Sequence, residues 1–223
     1  MLNNKKIVIF DYGGIVFNLQ DETSLVQIWK NVANRLNLNV SDEYLRQWKS
    51  WDFDMTTDNY EQVNEDFYRI FKSCGIEADT ALIKKCRLIF DDEIKKAPKY
   101  AKVADFINTL ISSGKCLTGV LSNLSVCYAP AINTQLPLSA FDYVWISFEM
   151  GCQKPEDKIY EKVEQDCRQK PSDILFFDDT AENIIAAKKR GWNVCQIDET
   201  QDEALRVALI SKTIENFLND KQE

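Results

Sequence analysis

Two hydrophobic patterns divide this chain. Ile7-Val8-Ile9-Phe10 is an unbroken apolar run that ends at Asp11, with Gly13 and Gly14 close behind. So short a continuous run predicts a strand buried on both faces, as in a parallel sheet. From Phe17 to about Lys95 the spacing is helical instead. Leu25, Ile28, Trp29, Val32 and Leu36 form one stripe; Tyr44, Leu45 and Trp48 form a second, capped by Ser41-Asp42. Val63, Phe67, Ile70, Phe71 and Cys74 form a third, ended by Gly75, and Leu82, Cys86, Ile89 and Phe90 a fourth. Stripes of this kind predict bundle core, so the segment is expected to be an inserted bundle of about four helices with no strand.

Beyond Lys95 the two patterns alternate. Val103, Phe106, Ile107, Leu110 and Ile111 predict an amphipathic helix stopped by Gly114, and Cys116 to Leu121 a strand ending at Ser122-Asn123. A short helix is expected between Val126 and Thr134, and a strand over Tyr143-Val144-Trp145-Ile146. Lys154-Pro155-Glu156 is expected to open a helix, because proline suits the first helical position and an acid the first turn. Ile174-Leu175-Phe176-Phe177 predicts a strand ending in Asp178-Asp179, followed by a helix from Ala181 to Arg190 stopped by Gly191. Asn193 to Ile197 is expected to be the last strand. Leu205, Ala208, Leu209, Ile214, Phe217 and Leu218 suggest one closing helix or two short ones. Strands alternating with helices imply a Rossmann-like α/β core: a parallel sheet with right-handed crossovers and helices on both faces. The expected division is an α/β core over residues 1–17 and 96–223 and an all-α cap over 18–95.

At 223 residues with 45% hydrophobic content, the chain can bury a sizeable core. The net charge of −8 argues against nucleic acid or an anionic membrane as the main partner. Seven scattered cysteines, with no C-x-x-C pair, point to free thiols in a reducing compartment, and hence to the cytoplasm. The apolar run behind Lys5-Lys6 is too short for a signal peptide, and no stretch is long enough to span a membrane. The absence of histidine matters most. It excludes Ser-His-Asp and Cys-His catalysis and histidine-ligated metals, leaving acid–base work to Asp, Glu, Lys, Tyr or Cys.

Three predicted strands end in polar groups: Asp11, Ser122-Asn123 and Asp178-Asp179. In a parallel sheet these ends share one edge, where ligands bind, and Lys154 precedes a helix that starts near it. Each has an ordinary reading alone. Asp11 suits a turn, Ser122-Asn123 a helix cap, Lys154 a solvated surface and Asp178-Asp179 a helix start. Together they form the inventory of phosphoryl transfer: a carboxylate able to attack phosphorus, oxygen ligands for Mg²⁺, and donors for the phosphoryl oxygens.

The stretches Val8 to Val16, Gly119 to Asn123, Gln153 to Glu156 and Phe176 to Ile184 resemble the four motifs of the haloacid dehalogenase-like hydrolase superfamily. The likeness is nearest to its sugar-phosphate phosphatase and epoxide-hydrolase-N-terminal-domain-like branch, with a helical cap after the first strand. The resemblance implies a Mg²⁺-dependent phosphatase of a small phosphorylated metabolite, a sugar phosphate foremost, acting through an aspartyl-phosphate. It implies Asp11 as nucleophile and metal ligand, the Gly13 carbonyl and Asp179 as further ligands, and Ser122 and the Asn123 amide as phosphate holders. Lys154 would neutralise Asp11 and the phosphate, Asp178 would orient metal-bound water and Asn183 would brace the loop.

One position departs from most phosphatases of the superfamily. They carry a second aspartate two residues after the nucleophile, where this chain has Gly13. Loss of that acid–base step costs a factor of roughly 10²–10⁴, and an anomeric phosphate, with its less basic leaving oxygen, would need it least. Two other readings therefore stand beside the phosphatase: a non-catalytic phospho-ligand sensor or protein-binding module, and a metal-independent haloacid dehalogenase. Trp48, Trp51 and Asp52, with Asp54, are the expected substrate contacts of the cap; a packed helix end with a solvated acidic loop explains them equally well. Nothing in the sequence distinguishes monomer from homodimer.

Overall fold

Four apolar residues without a polar position must be covered on both faces, and Ile7–Phe10, all fully buried, becomes the central strand β1. The computed structural model describes residues 5–17, 22–41, 45, 53–96, 100–129, 136–198 and 200–220. The other strands are β2 (Leu117–Ser122), β3 (Tyr143–Ile146), β4 (Ile174–Asp178) and β5 (Asn193–Gln196). All pair in parallel, in the order β3-β2-β1-β4-β5. Val8, Phe10, Val120, Leu175 and Phe177 face one core layer, shared with the helices Ala101–Ser113 and Glu203–Asn219. Ile7, Ile9, Leu121, Ile174 and Phe176 face the other, shared with the helices Asp157–Cys167 and Ala181–Lys189. Helices thus cover both faces of a Rossmann-like sheet, as the alternating pattern predicts. The polar ends of β5, Asn193 and Gln196, are exposed at the sheet edge.

Between β1 and the Ala101–Ser113 helix lie the helices Glu22–Arg35, Tyr60–Ser73 and Thr80–Ile94, with no strand among the described residues. Trp29 meets Phe90 at 4.8 Å and Phe67 at 6.0 Å between ring centroids, and Phe53 meets Phe67 at 5.5 Å. The buried Glu93 carboxylate accepts from Asn31 and Arg35, which fastens the first of these helices to the third. The bundle touches the core at the turn Val126–Tyr128: Tyr60 Oη donates to the Val126 carbonyl at 3.2 Å, and the Tyr128 ring packs against Phe53 and Phe90.

Several details differ from expectation. Pro155 does not open a helix; the helix begins at Asp157, with Glu156 extended before it. The backbone N–H and C=O of Lys154 are both bonded to the Asn123 side chain, so this stretch is committed elsewhere. A four-residue helix, Ser147–Met150, follows β3 without a sequence signal. The short helix expected between Val126 and Thr134 begins with a turn over Val126–Tyr128 and a helical Ala129, and its remainder lies outside the described residues. The closing helix is continuous, yet Leu205 and Leu209 are exposed, and the buried stripe runs Arg206, Ile210, Ile214, Phe217. Of the expected second cap helix only Leu45, which is buried, lies within the described residues. No helix among the described residues is long and apolar enough to cross a membrane, and none of the seven cysteines is in a disulfide.

Candidate active site

The strand order reverses at β1: the chain moves to β2 and β3 on one side and to β4 and β5 on the other. Ligand crevices of α/β sheets form outside the carboxyl ends at such a switch point. Here Phe10 lies level with Val120 and with Phe177. Register therefore sets Asp11 beside Asp178 and near Ser122, and the Asp11 N–H donates to the Phe177 carbonyl at 2.8 Å.

Lys154 reaches this edge from the loop after Ser147–Met150. The Asn123 side chain accepts from the Lys154 N–H at 2.8 Å and donates to its carbonyl at 2.7 Å. Ser147 Oγ makes a second tie, accepting from the Leu124 N–H and donating to the Leu124 carbonyl. The loops after β2 and β3 are so locked together, and the Lys154 ammonium is aimed between two carboxylates, 3.0 Å from Asp11 Oδ2 and 2.6 Å from Asp178 Oδ2. Asp178 is fully buried and saturated: Oδ1 accepts from the Thr180 N–H and from Asn183, while Oδ2 accepts from Lys154 and Asn183. Asp11 Oδ1 accepts from the Tyr12 N–H at 2.6 Å.

Asp11, Asp178 and Asp179 each offer an oxygen within 4.8 Å of the others. Among the described residues, the Lys154 ammonium stands between two of these three crowded carboxylates. Burial pushes the Asp11 carboxyl up to about 7; Lys154 opposes the rise, and Asp178 and Asp179 add to it. Burial works against the Lys154 charge, but Asp11 and Asp178 outweigh it and hold its pKa above the ordinary lysine value. An oxygen-only donor set of crowded carboxylates suits a hard divalent cation such as Mg²⁺. Asp11, Asp178 and Asp179 are together the candidate carboxylate ligands for it.

The Ser122 hydroxyl is buried at the end of β2, near enough to Asp11 to ease its ionisation, yet in hydrogen-bond geometry with no protein group. A buried hydroxyl without a partner is unfavourable, and an anionic oxygen arriving beside Asp11 would satisfy it. With its side chain given to Lys154, Asn123 has its backbone N–H to offer such an anion. Asp11, Gly13, Asn123, Lys154 and Asn183 line one cavity of about 370 Å³, joined by Pro155, Thr180 and Glu182. Gly14, at φ +69°, lies so close to Asp179 that a Cβ there would stand 2.5 Å from its carboxylate.

Trp48, Trp51 and Asp52 lie outside the described residues. Asp54 caps its own loop, accepting from Thr56 and from Gln62. Sequence reasoning missed Thr180, whose contribution is a backbone N–H and so leaves no side-chain signal. It missed Glu182, which sits in the first turn of the helix Ala181–Lys189, where an acid has an ordinary helix-start reading. It also missed Arg206, which approaches the Gly14 carbonyl from the closing helix; the available signal was its place four residues before Ile210 on the buried stripe.

The family model for haloacid dehalogenase-like hydrolases matches residues 5–191. Among curated proteins, a D-ribitol-5-phosphate phosphatase of Bacteroides thetaiotaomicron is 24% identical over 205 residues, 88% of this chain and 94% of that one. Among solved structures, a haloacid dehalogenase family enzyme of Bacteroides thetaiotaomicron, in complex with magnesium and inorganic phosphate, is similar with a TM-score of 0.63 at 18% identity. The match covers 89% of this chain and 97% of that one. The hydrolase YfnB of Bacillus subtilis, bound to magnesium, matches with a TM-score of 0.66 at 17% identity, covering 90% and 92%. At these identities the structural likenesses speak to the fold.

Proposed function

This chain belongs to the haloacid dehalogenase-like hydrolase family, and from that we propose a Mg²⁺-dependent phosphatase of small phosphorylated metabolites, sugar or polyol phosphates foremost. The observation that carries the reading is Lys154, buried between Asp11 and Asp178 with Asp179 alongside: a nucleophile, its counter-charge and a cation cradle at one strand edge. The relative named for D-ribitol-5-phosphate supports the substrate class. Magnesium in two structural neighbours supports the choice of cation.

In this reading the Asp11 carboxylate attacks phosphorus in line with the leaving oxygen. The phosphorus–oxygen ester bond breaks, the leaving oxygen takes a proton from solvent water and departs as the alcohol, and an aspartyl-phosphate remains. Lys154, the Ser122 hydroxyl and the Asn123 N–H take up charge on the phosphoryl oxygens. Water then attacks phosphorus, the bond between phosphorus and the Asp11 oxygen breaks, the proton passes to solvent, and Asp11 and free phosphate are released. Asp11, Asp179 and the Gly13 carbonyl would hold Mg²⁺, which would supply Lewis-acid neutralisation of the phosphoryl charge. Asp178, with every oxygen engaged, holds Lys154 in line, and Asn183 braces Asp178. No side-chain acid stands at Gly13, which favours substrates with a weakly basic leaving oxygen such as an anomeric phosphate. Residues 18–95 act as the cap that closes over the site and selects the substrate, with 1–17 and 96–223 as the core. Free thiols throughout suit a cytoplasmic setting.

The test is phosphate release from a panel containing ribitol 5-phosphate, hexose 1- and 6-phosphates, nucleotides and aryl phosphates, with Mg²⁺ and with EDTA. Release that needs Mg²⁺ and disappears in Asp11→Asn is expected. Turnover that survives EDTA, or a panel that stays silent while the folded protein binds Mg²⁺, would defeat the reading; the second result would favour the sensor that Gly13 suggests.

A further inference from the structure

We propose that Arg206 is a positioning residue for the cation site, an inference that rests on the assignment of Asp11, Gly13 and Asp179 above. Arg206 is only 2% exposed. Its guanidinium stacks on the Tyr100 ring at 3.5 Å and Nη1 donates to the Gly14 carbonyl at 3.3 Å, while the buried Nε has no partner. No ion pair to Arg206 is formed among the described residues, although its charge, after the Thr200 hydrogen bonds, helps hold the Asp198 carboxyl low; a cation so buried is expensive in desolvation, and cation–π stacking, one carbonyl and a more distant carboxylate offset only part of it. An apolar side chain on the Ile210–Ile214 stripe would fill the same space without that cost. The hydrogen bond that this charge does make is to the Gly14 carbonyl.

Gly14 sits between two groups. On one side its carbonyl takes the Arg206 donor; on the other, its Cα is in contact range of the Asp179 carboxylate. The loop around it is tightly bonded: the Tyr12 carbonyl accepts from the N–H groups of both Val16 and Phe17, and the Gly14 N–H donates to the Phe17 carbonyl. Tyr100, the stacking partner of Arg206, donates its own N–H to the Val16 carbonyl. One guanidinium thus clamps the 12–17 loop to the return segment at Tyr100. It thereby sets the position of the Gly13–Gly14 backbone against Asp179. Groups that orient the ligands of a metal in this way typically change affinity by about 10–100-fold when removed.

The test is Mg²⁺ titration of the full chain by calorimetry without substrate, for wild type, Arg206→Met, Arg206→Lys and Tyr100→Leu. Circular dichroism and urea unfolding accompany each, and kcat and KM are measured at saturating Mg²⁺. The expected result is a 10–100-fold weaker Mg²⁺ constant in Arg206→Met, largely recovered in Arg206→Lys. Tyr100→Leu should show a smaller weakening, and kcat at saturating Mg²⁺ should fall less than the affinity. A purely structural role would lower the urea midpoint and leave the Mg²⁺ constant unchanged, which overturns the proposal. If Arg206→Met does not fold, an unchanged Mg²⁺ constant in folded Tyr100→Leu overturns it. Wild type that binds no Mg²⁺ would sink the functional reading along with this one; wild type that binds while Arg206→Met matches it would sink this one alone.

Discussion

Asp11→Asn should abolish turnover and yet make the metal-free protein more stable. Burial and two neighbouring carboxylates raise the Asp11 carboxyl from 3.8 to about 7, against the pull of Lys154. For a carboxylate whose folded pKa is raised, the contribution to stability is fully present below the unfolded value and is lost as pH rises to the folded one. The window is thus from about 4 to about 7. Across it, a shift of some three units corresponds to about 4 kcal/mol of ionisation opposing folding. Asparagine of nearly the same shape carries no such charge. The pull of Lys154 is already contained in that raised value, so the expected gain at pH 8 is about 4 kcal/mol, or roughly 8–16 °C in melting temperature for a chain of this size. Calorimetric melts in EDTA at pH 8 and pH 5 would measure it. The gain should be largest at pH 8 and shrink toward pH 5. Adding Mg²⁺ at 100 times its dissociation constant should stabilise the wild type by about 2.7 kcal/mol and the variant far less. A variant less stable than wild type at pH 8 in EDTA, or a difference independent of pH, would refute the account of the site as a crowded carboxylate cluster.

Three further outcomes follow from the geometry. Lys154→Met leaves Asp11 and Asp178 facing each other without a counter-charge; it should cost about 3–5 kcal/mol in urea unfolding at pH 8 and less at pH 5, where a carboxylate can protonate. Gly14→Ala drives a Cβ into Asp179 at a positive φ, whereas Gly13→Ala meets nothing within 4 Å; the first should lose at least tenfold in Mg²⁺ affinity and the second should fold normally, as titration and melting curves would show. Glu164 accepts from Arg190 at 2.8 and 2.7 Å and from Trp192 Nε1 at 2.8 Å, and the Arg190 hydrogen bond holds its pKa below 4.5. Glu164→Gln should therefore cost about 1–2 kcal/mol at pH 7, and the difference should fade as pH falls below about 4; a constant difference down to pH 3 would contradict the pairing.

The sequence by itself determined the elements and the chemical inventory. Runs such as Ile7–Phe10 and Ile174–Phe177 have no polar position and can only be buried strands. The stripes through Trp29, Phe67 and Phe90 recur at helical spacing, and the acids, the hydroxyl and the lysine stand at the ends where a parallel sheet gathers them. These are local signals, carried by periodicity and by the residue that breaks it. The tertiary structure decided whatever depends on contacts between distant segments. Pairing of β1 with both β2 and β4 set the strand order and the register that brings Asp11 level with Asp178. The grip of Asn123 on the Lys154 backbone kept Pro155 out of the helix and aimed the ammonium. The closing helix buried Arg206 and exposed Leu205 and Leu209, contrary to their hydrophobicity, because the face a helix turns inward is chosen by the surface it packs against. Here that surface includes the ring of Tyr100 and the carbonyl of Gly14, which no pattern within the helix itself encodes.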